Sequence, residues 1–256
     1  MIERSEQDGI VTLRLAHGKA SAMDLELTQG LTLAFDEAAQ SDARAVILTG
    51  SGSIFSAGVD LYRVLEGGAA YAETFYPALT RLIFDLFAFP KPLVAAVNGH
   101  AIAGGAIMTA VGDVRLMARG NGRIGVPELV VGVAFPPVVL ELMRFAVGPG
   151  ALQSLIYTGR SVQADEARAL GLIDEIVDAD ALMTRAEESA RHLASLPPGA
   201  FRMAKHELRD PYIRRAKRYA AQHESDALAV WKDPATHAQI REYLARTVGK
   251  SAARSG

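Results

Sequence analysis

The chain has 256 residues, half of them hydrophobic, and its 27 Lys and Arg against 29 Asp and Glu give a formal net charge of −2. This balance provides no overall basic field for nucleic acid or an anionic membrane, and zero cysteines exclude disulfides, thiolate catalysis and cysteine-ligated zinc. With no secretory leader pattern and no apolar run near the roughly eighteen residues of a membrane helix, we expect a soluble cytoplasmic protein.

The N-terminal part predicts a β-hairpin followed by a helix. Residues 10–15 have the β-branched content of a strand and can pair with the residues around Ile2 across a turn at Asp8-Gly9. Apolar residues recur at helical spacing over residues 24–39, and Asp24 is a suitable N-cap. The chain therefore opens with a hairpin and a helix that leads into the next strand.

Two buried strands each end in a glycine-rich loop. The apolar runs 45–48 and 93–97 predict the strands, and the loops after them are FSAGVDL at 55–61 and NGHAIAGGA at 98–106. Glycine at such a turn lets backbone N–H groups point outward because no Cβ stands in the way. Two converging N–H groups can hold a developing oxyanion.

Further helices and strands alternate around these loops, as in an α/β fold. Residues 71–89 predict a helix with a break at Pro77, whereas the Gly67-Gly68 pair before it indicates a mobile loop. Residues 104–111 are all small or apolar, which is typical of a helix buried on every side. Strands are predicted at the segments 114–118 and 123–126.

From residue 138 onward the pattern is helical, apart from one short strand at 174–177. The predicted helices are 138–145, 150–157, 163–170, 181–196, 199–209, 212–229 and 234–248. We therefore divide the chain into an α/β core at 1–196 and a C-terminal helical region at 197–256. Its small, polar tail at 249–256 is expected to be disordered.

Several other site chemistries fit the sequence poorly. Neither glycine loop matches GxGxxG or ends as a P-loop does. Ser56 lacks the first glycine of GxSxG, and the one triad available to it would need His100 and Asp113; a turn residue is the better interpretation. The six histidines never pair at metal-ligand spacing, so no metal site is predicted.

Glu128 is the carboxylate whose neighbours suggest chemistry. It follows Pro127 and precedes the apolar run 129–131. An isolated glutamate is more often a surface or capping residue. Apolar neighbours, however, raise the pKa of a carboxyl by desolvation, and this makes it a useful base near neutral pH.

Taken together, these motifs resemble those of the crotonase superfamily, the enoyl-CoA hydratases and isomerases. The resemblance runs from the N-terminus to about Lys250 and is carried by KASAM at 19–23, both glycine loops, Pro127-Glu128, and residues 158–173. It implies an α/β spiral of β-β-α units with a helical C-terminal region for trimer assembly, as a homotrimer or a dimer of trimers. It also implies an acyl-CoA thioester as substrate, with coenzyme A part of that substrate and no separate cofactor.

The resemblance also assigns roles by position. The oxyanion donors would be the backbone N–H groups of Val59 and Gly104, and Glu128 would be the base. The positions matched to coenzyme A binding are Ala20, Ala22, Ala57, Gly58, Asp60, Leu61 and Gly105. The acyl pocket would be lined partly by residues 66–76 and 135–140, which do not determine the chain length.

Departures from the hydratase pattern favour an isomerase. Hydratases of the family carry a second glutamate where this chain has Ile107, and dienoyl isomerases carry an aspartate where it has Pro136. Hydration needs two acid/base groups, whereas one base can move a proton from C2 to C4. We therefore predict a Δ3,Δ2-enoyl-CoA isomerase; the alternatives are a hydratase with a modified site and a non-catalytic protein that binds CoA thioesters.

Overall fold

Two β-sheets form the centre of the fold in the computed structural model, which describes residues 1–252. The larger sheet contains, in spatial order, β1 (Ile2–Gln7), β2 (Ile10–Leu15), β3 (Ala45–Thr49), β5 (Leu93–Val97), β7 (Val114–Ala118) and β10 (Glu175–Val177). The smaller contains β4 (Ile54–Ser56), β6 (His100–Ile102), β8 (Ile124–Gly125) and β9 (Ser161–Val162). The helices are α1 (Leu25–Gln40), α2 (Leu61–Phe87), α3 (Gly104–Ala110), α4 (Glu128–Val131), α5 (Pro137–Thr158), α6 (Ala164–Ala169), α7 (Leu182–Ser195), α8 (Pro198–Lys232) and α9 (Pro234–Ala252).

The chain winds as a spiral that adds one strand to each sheet and then a helix. The units β3-β4-α2 and β5-β6-α3 show this order, and the pairs β3–β5, β5–β7 and β4–β6 are all parallel. The predicted β-β-α spiral with a helical C-terminal region is therefore confirmed. The opening hairpin is confirmed as well, with positive φ at both turn residues, Asp8 (53°) and Gly9 (74°).

The central strands of the larger sheet consist of continuous apolar residues because both faces of this sheet are buried. Along β3, Val46 and Leu48 belong to the main core, whereas Ala45 and Ile47 face a second core on the opposite side. Helix α7 covers that second side, with Ala186 among its fully buried contacts. Parallel sheets covered on two faces commonly have such strands.

Helix α2 corrects the prediction for residues 61–89. It begins at Leu61, capped by Asp60, so the segment expected to be a mobile loop is helical. The non-helical residue inside it is Gly68, with φ 58° and ψ −148°, and not Pro77. Only glycine adopts such angles without strain, so the Gly67-Gly68 pair marks a break between two helical segments within the range of α2.

The C-terminal region also differs in detail from the prediction. The two helices expected on either side of Pro211 form the single helix α8. The two expected at 138–145 and 150–157 are both present within the range of α5, separated at Gly148, whose φ of 74° and ψ of 164° are not helical. Helix α9 continues to Ala252, so the first four residues of the expected disordered tail are helical. The rest of that tail, 253–256, lies outside the described residues.

Helix α5 is long and apolar enough to cross a membrane by length and composition. It is interrupted at Gly148, and it packs against α8. Its Glu141 is fully buried and accepts hydrogen bonds from the guanidinium groups of Arg144 and Arg215. These are the features of a core helix.

A buried charge cluster fastens α8 to the core. Asp113, which precedes β7, accepts hydrogen bonds from Lys205 Nζ at 2.6 Å and from Arg209 Nη2 at 2.7 Å. Arg209 also donates to the backbone carbonyls of Phe87 and Val111 at 2.9 and 3.0 Å. Burial lowers the pKa of Lys205 to about 8, with Asp113 acting in the opposite direction.

We expect Asp113→Ala to destabilise the fold by about 3–5 kcal/mol, because it leaves Lys205 and Arg209 buried without their counter-ion. Urea denaturation measures the loss. The matched control is Asp85→Ala, which breaks the exposed pair with Arg81 and should cost less than about 0.5 kcal/mol. Equal losses in the two variants would contradict this account of the cluster.

Candidate active site

A cavity of about 80 Å³ lies where the two glycine loops, α4 and the end of α8 meet. Its lining includes exposed or partly exposed residues of the glycine loops, such as Ala57 and Ala103, and buried residues of the helices, such as Ile83. The lining is apolar apart from backbone groups and three polar side chains, those of Glu128, Trp231 and Tyr243.

The first glycine loop is held by the preceding KASAM segment. Met23 N–H donates to the carbonyl of Gly58 at 2.7 Å, and Asp60 N–H donates to the carbonyl of Met23 at 3.0 Å. These two bonds flank Val59 and leave its N–H unused, as expected for a short parallel bridge between Met23 and Val59.

Ser56 has a structural role in the same loop. Its buried hydroxyl donates to the carbonyl of Ser21 at 2.8 Å and accepts from Gly58 N–H at 3.2 Å. Asp113, its one possible triad partner among carboxylates, is paired with Lys205 and Arg209 in the charge cluster. The interpretation of Ser56 as a turn residue agrees with this geometry.

The second glycine loop turns sharply just before Gly104, the first residue of α3. Ala103 has φ 51° and ψ −118°, which is unfavourable for a residue with a Cβ. The turn is held by a 2.8 Å hydrogen bond from Ala103 N–H to the carbonyl of Gly125. Backbone strain of this kind is often found at functional sites, where surrounding structure maintains it.

The two loops touch at their glycines. A Cβ added to Gly58 would lie 2.5 Å from the Cβ of Ala103 and 3.1 Å from the nitrogen of Gly104. A Cβ added to Gly104 would lie 2.5 Å from the Sδ atom of Met23. Within residues 1–252, neither Val59 N–H nor Gly104 N–H donates to another protein group. The contact brings two free backbone donors to one side of the cavity.

Glu128 is the first residue of α4 and is 8% exposed. Burial raises the pKa of its carboxyl to about 8. In the part of the chain that the structure describes, its Oε2 atom has no hydrogen-bond partner. A desolvated carboxyl with a free oxygen facing an apolar cavity is a stronger base than an exposed one once it is ionised.

Ile107 lies one turn beyond Gly104 and lines the same cavity, 5% exposed. Pro136 also lines it. Among the described lining residues, Glu128 is therefore the single carboxylate. The structure brings together Val59, Gly104, Glu128 and Ile107, which are the residues that the sequence analysis singled out for the reaction.

The residues matched to coenzyme A binding lie in two environments. Ala57 and Leu61 line the open side of the cavity, and Ala57 N–H donates to the carbonyl of Ala20 at 3.0 Å. The carboxylate of Asp60 caps α2. Gly105 is buried, and its Cβ would lie 2.4 Å from the carbonyl oxygen of Ser56, so it allows close packing.

Gly58 is buried at the loop contact, and Ala22 is half-buried beside Met23. Binding of coenzyme A to this set of residues stays a prediction.

Two lining residues were not predicted. Trp231, at the end of α8, and Tyr243, in α9, reach the cavity from the C-terminal helices. Burial and the nearby Glu128 raise the pKa of Tyr243. The sequence pattern shows these helices to be amphipathic but not which core they pack on. The segment 66–76, expected to line the acyl pocket, contributes no residue to the cavity lining, whereas Phe135 does.

We expect Glu128 to make stability depend on pH. Its pKa is raised from 4.5 to about 8 on folding, so between these pH values the unfolded carboxyl ionises while the folded one keeps its proton. The free energy of unfolding is therefore not reduced by this carboxyl below pH 4.5, and it falls as the pH rises toward 8. Relative to Glu128→Gln, the wild type should lose on the order of 4 kcal/mol by pH 9.

Urea denaturation at several pH values measures this difference. Glu207→Gln, at an exposed position on α8, is the control and should follow the wild-type curve. A constant difference between wild type and Glu128→Gln across this range would show that the carboxyl is not desolvated.

The sequence and fold match known proteins. The family model described as enoyl-CoA hydratase/isomerase matches residues 5–250. A protein of Thermus thermophilus, provisionally named enoyl-CoA hydratase, is 40% identical over 186 residues, which is 72% of this chain and 72% of that protein.

Solved structures include both hydratase and isomerase names. One Mycobacterium tuberculosis protein is described in one structure as the probable enoyl-CoA hydratase EchA3 (30% identity, 88% of this chain, 95% of that chain, TM-score 0.82). Another structure of it describes an enoyl-CoA isomerase (31% identity, 84% and 94% coverage, TM-score 0.78). Human mitochondrial Δ3-Δ2-enoyl-CoA isomerase shares the fold, with TM-score 0.90, 21% identity, and coverage of 97% of this chain and 98% of that chain.

Proposed function

Since the chain belongs to the enoyl-CoA hydratase/isomerase family, we propose that it is an isomerase that converts 3-enoyl-CoA into trans-2-enoyl-CoA. The observation that carries this proposal is the pairing of one buried carboxylate, Glu128, with Ile107, in a lining whose described residues include no second carboxylate. Hydration requires groups that hold and split a water molecule, and isoleucine offers none. Moving a proton between two carbons of one substrate requires a single base.

The proposed reaction begins with the thioester carbonyl oxygen at the free N–H groups of Val59 and Gly104. The ionised carboxylate of Glu128 takes a proton from C2, and the electron pair of the broken C–H bond delocalises over C2, C3, C4 and the carbonyl as a dienolate. The two N–H groups stabilise the oxyanion, and removal of one such donor in other enzymes raises the barrier by roughly 3–4 kcal/mol. Glu128 then returns the proton at C4, which leaves the double bond between C2 and C3.

The same surroundings suit Glu128 to this step. Desolvation raises the pKa of its carboxyl to about 8, and a carboxylate with a raised pKa is a stronger base toward a carbon acid. The free Oε2 atom is available to accept the proton. Apolar side chains around it, such as Val131 and Val139, keep water from competing for the dienolate.

The names of the relatives support the enoyl-CoA hydratase/isomerase family but do not distinguish a hydratase from an isomerase. Enoyl-CoA hydratase is the commoner name among the relatives, and one M. tuberculosis protein is described both ways. A hydratase with a modified site is therefore the second candidate, and a CoA-thioester-binding protein without turnover is the third. The single carboxylate in the lining favours the isomerase.

The proposal includes the expected assembly as a homotrimer or a dimer of trimers, with coenzyme A entering as part of the substrate and the reaction in the cytoplasm. Exposed apolar side chains on α8, Met203 at 64% and Leu208 at 65% exposure, are consistent with a subunit contact. Light scattering after size exclusion determines the mass.

We expect Glu128→Gln to reduce isomerase kcat at least about 100-fold, because the amide cannot accept the C2 proton. Affinity for a saturated acyl-CoA should change little. In the wild type, kcat/KM should rise with pH through about 8 as the carboxyl ionises. The assay follows the formation of the conjugated product from 3-hexenoyl-CoA, and Glu207→Gln is the control. A Glu128→Gln enzyme that keeps most of its rate would exclude this residue as the base.

The wild type should show no efficient hydration of crotonyl-CoA, because Ile107 stands where hydratases of the family carry the second glutamate and the described lining offers no second carboxylate. Loss of the conjugated thioester absorbance measures hydration. Efficient hydration would favour the hydratase and overturn the role given to Ile107. Tight binding without conversion of either 2-enoyl or 3-enoyl thioesters would favour the binding protein.

A further inference from the structure

Trp231 is the largest of the buried side chains that line the cavity. It lies at the C-terminal end of α8 and is 2% exposed. The partly exposed lining residues include Val59 and Ile102 of the glycine loops, together with Ala134, Phe135 and Tyr243. A substrate held by its thioester at the loops would place its acyl chain among the buried lining residues, of which Trp231 has the largest side chain.

The indole ring is fixed on several sides. Its Nε1–H donates to the carbonyl of Ala134 at 2.8 Å, and its ring packs on Phe75 and Tyr76 of α2 at centroid distances of 6.2 and 5.9 Å. The carbonyl of Trp231 itself lies 2.9 Å from the Nε2 atom of the buried His237. A side chain held in this way does not move aside easily for a longer ligand.

The space in front of Trp231 is small. The cavity of about 80 Å³ is roughly half of the ~150 Å³ apolar cavity that takes up benzene in another protein. The side chains behind the indole, Phe75 and Tyr76, are fully buried. The chain therefore has room for only a few carbon atoms beyond the thioester.

We propose that Trp231 is the residue that sets acyl-chain length, and that it restricts this protein to short-chain acyl-CoA thioesters of about four to six carbons. This inference rests on the proposed acyl-CoA site. It adds the substrate class, which neither the glycine loops nor Glu128 determines. Because a pocket that lacks room for a single methylene already loses about tenfold or more in discrimination, a ten-carbon chain should bind much more weakly than a four-carbon one.

The first test uses the fact that the chain contains one tryptophan, so its fluorescence reports on this wall alone. Butanoyl-CoA should change the emission of the wild type, whereas free coenzyme A should not. Decanoyl-CoA should bind at least about tenfold more weakly than butanoyl-CoA. Equal affinities for the two thioesters, or an emission change caused equally by free coenzyme A, would overturn the proposal.

The second test replaces the indole of Trp231 by a smaller side chain. Trp231→Leu should improve the ratio of decanoyl-CoA to butanoyl-CoA affinity by at least about tenfold, measured by calorimetry. Phe35→Leu is the matched control, because Phe35 is a buried aromatic residue that packs on Phe89 and does not line the cavity; its ratio should stay at the wild-type value. An unchanged ratio in folded Trp231→Leu, or the same change in both variants, would contradict the role of Trp231.

Should Trp231→Leu fail to fold, as circular dichroism would show, the wild-type fluorescence titration decides the matter alone. All these ligands are saturated and unreactive, so their binding does not depend on turnover. Selective binding of butanoyl-CoA without isomerase activity would reject the proposed reaction and retain the chain-length limit. Isomerase activity with equal rates on 3-hexenoyl-CoA and 3-decenoyl-CoA would support the proposed reaction and reject the chain-length limit.

Discussion

The contact between the two glycine loops is the constraint on which the site depends. Gly58 meets Ala103 and Gly104 so closely that a methyl group at Gly58 would overlap both. The approach is possible because the parallel strands before the loops end at the same edge of their sheets, and because Ala103 tolerates an unfavourable backbone conformation. Val59 and Gly104 line one cavity as a result, and neither backbone N–H donates to another group within residues 1–252.

Desolvation by the apolar lining gives the second element of the site. Glu128 is buried without a partner for its Oε2 atom, and this raises the pKa of its carboxyl to about 8. The same burial disfavours the ionised form and so reduces folding stability at alkaline pH. The burial that suits Glu128 to the proposed role of base therefore also destabilises the fold at alkaline pH, and active sites often combine these two effects.

The cavity wall and the stability of the fold are linked through α8. The buried cluster of Asp113, Lys205 and Arg209 holds the N-terminal half of this helix against the core, and its C-terminal end carries Trp231 into the cavity. A long helix that is fastened at one end and hydrogen-bonded to Ala134 at the other keeps the indole in place. Charges remote from the site thereby support the size of the pocket.

The sequence by itself determined the central strands, both glycine loops, Glu128 and Ile107, because each is a local pattern: an apolar run, glycines at a turn, or one residue type at a fixed offset. It missed the short strands β4, β6 and β9, whose two or three residues are too few to show periodicity. Only the tertiary structure decided that the residues before the break at Gly68 are helical and that Trp231 and Tyr243 reach the cavity. Amphipathic helices reveal which face is buried but not which partner they pack on, and that partner depends on contacts between residues far apart in the chain.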